Sequence, residues 1–89
     1  MSGGLLEVTF LPARTTHNEW HFVVYTGSGI MRRGYQCSVS IREAFNSAES
    51  KWWNERGNSG AAESQAMKWA CKMAHKMAAA AFAIPPEKV

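Results

Sequence analysis

The sequence predicts an α+β fold: a three-stranded antiparallel meander followed by two helices, β-β-β-α-α, packed on one sheet face. Three observations carry this. Alternating and β-branched segments precede Ser40, a helix-capping signal stands at Ser40, and beyond it the apolar period lengthens to that of a helix. With 89 residues, 46% hydrophobic and 19% charged, the chain reads as one folded domain, 1–89, with flexible ends at 1–4 and 85–89.

The first strand rests on Leu6-Glu7-Val8-Thr9-Phe10, apolar and polar by turns; Pro12 should end it, and Ala13 to Asn18 read as a polar loop. Trp20 to Tyr25 form the second strand, with Trp20, Phe22 and Val24 on one face and His21, Val23 and Tyr25 on the other. Gly27-Ser28-Gly29 suits a hairpin turn. The third strand is expected from about Ile30 to Val39, with Tyr35, Cys37 and Val39 inward and Gln36, Ser38 and Ser40 outward. Gly34 within it signals a bulge or a close backbone approach.

Ser40-Ile41-Arg42-Glu43 has the form of a capping box. Ile41, Phe45, Ala48 and Trp52 then predict the buried stripe of one helix ending near Arg56, where Gly57-Asn58-Ser59-Gly60 is turn chemistry. Of the adjacent Trp52 and Trp53, only one can face the core, because neighbouring helical residues diverge by about 100°. The stripe assigns that role to Trp52 and leaves Trp53 at the rim, either covered by the second helix or partly exposed as an interface anchor. A second helix is expected from about Ala61 to Ala83, terminated by Pro85-Pro86.

The function classes narrow by what is missing. The chain has no aspartate, which excludes aspartate-dependent triads, aspartate-based phosphoryl-transfer sites and EF-hand loops. Two cysteines, Cys37 and Cys71, sit in apolar patterns and read as small buried hydrophobes. Neither has a local His and orienting group to make it a nucleophile, so the expectation is a protein that is not an enzyme. His17-x-x-x-His21 and Cys71-x-x-x-His75 carry four zinc-ligand types, but the first pair straddles a loop and a strand start; no metal and no cofactor are expected. No signal peptide or membrane span is visible, so a cytoplasmic protein is expected.

The binding features lie on the second helix and the hairpin. Met67, Ala70, Cys71, Ala74, Met77, Ala78 and Ala81 share a broad apolar face, widened by Trp69 and Met73. A face of that width serves the core and a further contact, whether homodimerisation or docking on a larger protein. On the other side Lys68, Lys72 and Lys76 recur every four residues beside His75, with no acid between Ser64 and Ala83. Arg32-Arg33 form a second basic pair. Arg32, Arg33, Trp53, Lys68, Lys72, His75 and Lys76 are therefore the candidate partner-binding residues. The formal net charge of +3 is modest for a dedicated nucleic-acid binder.

The meander, together with Gly60-Ala61-Ala62-Glu63-Ser64-Gln65-Ala66-Met67 leading an Ala/Met-rich helix, resembles small phage-encoded anti-CRISPR proteins that act on type I effectors. The likeness covers strands two and three and the second helix. It implies a phage or mobile-element inhibitor that binds a CRISPR effector subunit in the host bacterial cytoplasm. Such a protein blocks target DNA binding or nuclease recruitment by occlusion. The alternative resemblance is to AP2-like and integrase N-terminal domains, which lay a three-stranded sheet in the DNA major groove. That one implies a nucleic-acid partner and basic side chains on the open sheet face, where this sequence places Gln36, Ser38 and Ser40.

Overall fold

The computed structural model describes residues 6–27 and 29–83. Three strands, β1 (Glu7–Thr16), β2 (Glu19–Thr26) and β3 (Arg33–Ser40), form an antiparallel sheet in the order β1-β2-β3. They are followed by α1 (Ile41–Phe45), α2 (Ala48–Glu55) and α3 (Ser59–Ala83). The α+β class and the meander are as the sequence predicts. The expected flexible ends, Pro85-Pro86 and Ser28 lie outside the described residues.

β1 continues past Pro12 to Thr16, against the expectation of a loop. Its register with β2 is regular from Glu7↔Tyr25 to Leu11↔His21 and then shifts before Thr16↔Glu19. Proline lacks the amide that a ladder needs, and an edge strand with an irregularity is where a sheet tolerates it. The hairpin closes on His17 and Asn18, both at positive φ (54° and 61°), the two-residue turn whose twist matches the strands. At the other end, Gly29–Met31 form a short 3-10 turn and β3 begins only at Arg33. Ile30, expected in the strand, stands 99% exposed.

The strand faces follow the alternation. Trp20, Phe22, Val24 and Val39 are buried beneath α3, with Val8, Tyr35 and Cys37 packed around them. Gly34 is a close approach: a Cβ there would lie 3.1 Å from the Tyr25 ring and 3.3 Å from a Val23 methyl. Val23 is buried as well, although it lies on the outer face.

The single helix expected over 41–56 is broken. Ser40 Oγ accepts from the Glu43 amide at 3.2 Å as the cap requires, and the Ile41 amide donates to the Asn18 carbonyl at 2.9 Å, tying α1 to the hairpin turn. After one turn Ser47 adopts an extended conformation (φ −65°, ψ 153°) and restarts the chain as α2. That break shifts the helical phase. Ala44 takes the core position, whereas Ala48 and Trp52 turn to solvent, Trp52 being 48% exposed. The expected burial of Trp52 is therefore corrected, and Trp53 is the half-buried member of the pair.

Gly57 (φ +76°) ends α2, and Asn58 Oδ1 accepts from the Ala61 amide at 3.0 Å to start α3. Along α3, Ala62, Ala66, Ala70, Ala74 and Ala78 are wholly buried at four-residue spacing. This spine lets the helix lie close on α2 and the sheet, whose large side chains supply the core volume. Met67, Trp69, Cys71, Met73 and Met77 flank it, partly buried.

Candidate functional site

The predicted binding residues separate into three places. Arg32 and Arg33, adjacent in sequence, diverge because β3 begins between them and successive strand residues point to opposite faces. Arg32 stays on the outer face, paired with Glu7 at 3.0 Å and stacked over Tyr25 with 4.2 Å to the ring centroid. Arg33 sits over the Phe82 ring at 5.1 Å, on the helix side. They do not form a joint basic patch. Trp53 lies at the end of α2, edge-on to Trp52 at 4.8 Å, and Arg56 covers the Trp52 ring at 3.8 Å.

The third place gathers the rest. Lys72, His75 and Lys76 line an open cleft of about 510 Å³ between α3 and the start of β1, with Cys71, Ala79 and Val8 as its apolar lining. His75 fixes this geometry. Its Nε2 lies 3.0 Å from the Leu6 carbonyl, which can only accept, so Nε2 carries the hydrogen. The bond joins α3 to the edge strand. Lys68 extends the row by four residues of helix, about 6 Å. All three lysines are exposed, and among the described residues the only ion pair is Arg32–Glu7, so no described residue neutralises any of the three.

No family model, curated protein or solved structure matches this chain.

The site sets lysine charge, unpaired among the described residues, beside an apolar wall. Burial pushes the thiols of Cys37 and Cys71 above the ordinary value of 9.0, the direction opposite to a reactive thiolate. His75 spends its Nε2 on a backbone carbonyl. The two candidate zinc pairs do not converge: His17 is in the β1–β2 turn and His21 on the outer sheet face, while Cys71 and His75 face the cleft. Among the described residues no group of three or more His, Cys, Asp or Glu could hold a metal ion. No helix there is long and apolar enough to cross a membrane.

The outer sheet face carries Glu7, Thr9, His21, Tyr25, Gln36 and Ser38 beside the neutralised Arg32, with a shallow cleft of about 230 Å³ near His21, Gln36 and Ser38. Sequence reasoning missed the contribution of Val8. Its alternation marked an inward side chain, but no local signal says that the helix stops short of covering it.

Proposed function

We propose that this chain is a non-enzymatic binding protein that takes an acidic surface of a partner protein into the cleft between β1 and α3. The observation that carries the reading is the row Lys68, Lys72 and Lys76, which no described residue neutralises, beside an apolar cleft wall. Cationic side chains with apolar stems next to an apolar floor favour a partner that offers both carboxylates and hydrophobic contact. The resemblance to anti-CRISPR proteins makes a type I CRISPR effector subunit the first partner to try, with inhibition by occlusion as the mode of action.

The test is affinity capture of purified type I effector subunits by the chain and by a Lys68→Glu/Lys72→Glu/Lys76→Glu variant. Capture by the native chain and its loss in the folded variant support the reading. Equal capture by both removes the lysine row from it.

The alternative, a nucleic-acid module, draws on the same row, which could follow a phosphate backbone. The sheet-in-groove form of that alternative has little support, because Arg32 on the outer face is already paired with Glu7. Titrating a random duplex of about 30 base pairs across salt separates the two, since phosphate contacts give an affinity that falls steeply with salt.

A further inference from the structure

The geometry points to the free edge of β1, over Glu7–Leu11, as the place where an extended acidic segment of a partner protein adds as a fourth strand. Its alternate carboxylates meet Lys68, Lys72 and Lys76. This inference rests on the acidic-partner reading above and supplies its mode.

The first observation is the edge itself. β1 is an outer strand, in unbroken register with β2 from Glu7 to Leu11, and among the described residues nothing pairs with its other side. Those five residues span about 17 Å of backbone donors and acceptors before Pro12 interrupts them. An incoming strand gains main-chain hydrogen bonds there, with specificity set by alternate side chains.

The second is the incomplete cover. Phe10, on the helix-facing side of β1, is 38% exposed although it touches Trp20 and Phe22, and Val8 lines the cleft. A strand laid beside β1 would rest the methylene stems of its inward side chains on this apolar rim while their heads reach the lysines.

The third is a match of spacing. His75 meets Leu6, and Cys71 shares the cleft with Val8. So α3 runs antiparallel to β1, and four residues of helix, about 6 Å, keep pace with two residues of strand, about 6.8 Å. The lysines at 68, 72 and 76 each follow Met67, Cys71 and His75 by one residue and keep the same step. An extended segment with acidic residues at alternate positions therefore meets a lysine at each inward carboxylate. A helical or clustered acidic segment has no such match to the strand edge.

A second copy fits poorly. Its inward residues would be Val8 and Phe10 rather than acids, and a two-fold pairing of β1 edges sets one lysine row against the other.

The test uses the full chain and an eight-residue peptide alternating glutamate with valine, compared with a peptide of the same composition with its glutamates clustered. Two further copies of the alternating peptide are N-methylated at every second amide, one in each phase. The expected result is that the alternating peptide binds and slows amide exchange within Glu7–Leu11. One methylated phase should lose binding, and Lys72→Glu/Lys76→Glu should weaken it about tenfold or more. Equal binding by the clustered peptide, or by both methylated peptides, overturns strand addition while leaving the acidic-partner reading intact. If no peptide binds, strand addition is overturned and the capture experiment alone decides the broader reading. A dimer paired through β1 that the peptide cannot displace also overturns it.

Discussion

The Ser50 hydroxyl donates to the Ala62 carbonyl at 2.8 Å with both residues wholly buried, and this bond ties α2 to α3. One turn earlier, Ser47 Oγ is buried among the same helices with no hydrogen-bond partner. The two serines should respond oppositely to truncation. Ser50→Ala is expected to destabilise the fold by about 1 kcal/mol, because it removes a buried bond. Ser47→Ala should be neutral or stabilising, because it removes a desolvated hydroxyl that gains nothing. Urea denaturation of the two variants measures the difference.

Gly27 and Gly29 both have positive φ (88° and 58°), but only one is crowded. A Cβ at Gly27 would lie 2.6 Å from the Met31 carbonyl oxygen, whereas Gly29 has nothing within 4 Å. Gly27→Ala should therefore cost about 2 kcal/mol or more, and Gly29→Ala about 1 kcal/mol, the price of the left-handed backbone alone. Thermal melts of both variants check the order.

The alanine spine leaves no room for growth. Ala70→Leu or Ala74→Leu should push α3 off the sheet and cost about 1–3 kcal/mol, while Ala80→Leu on the exposed side should change stability by under about 0.5 kcal/mol. Denaturant midpoints separate the two groups.

Cys37 and Cys71 give a pH prediction. Burial raises both thiols above 9.0, so the native state holds their protons after the unfolded chain has begun to release them. Stability from this source is fully present below pH 9.0 and is lost as the pH climbs beyond it. Denaturation between pH 8 and 10.5 should show a fall that a Cys37→Ser/Cys71→Ser variant lacks. Alkylation at pH 8 should also be slower in the native chain than in urea.

What the sequence makes legible is periodic. Trp20, Phe22 and Val24, or Ala70, Ala74 and Ala78, declare their faces because a strand repeats every two residues and a helix every 3.6. Departures from period stay hidden. Asn46 and Ser47 are weak helix formers that still occur within helices, so the break that turns Trp52 outward has no distinct signature. Pro12 reads as a terminus unless the strand is known to be an edge, which is a property of topology. Arg32 and Arg33 look like one basic site until the strand start between them is fixed. Of the candidate site, the lysine row and His75 are visible as spacing on α3, but the opposing wall at Leu6 and Val8 depends on how far the helix sits from the first strand.

Five alanines at four-residue intervals also make α3 a smooth rod. Slid along its axis by one turn, it would place most of these methyls where another had been, so the spine by itself scarcely distinguishes one seating from the next. Alignment must come from the few contacts that do not repeat: Ser50 on Ala62, His75 on Leu6, and the Phe82 ring against Tyr35. These contacts act as the pins of the assembly, and loosening two of them should yield a protein that keeps its helix content while losing a single packed arrangement.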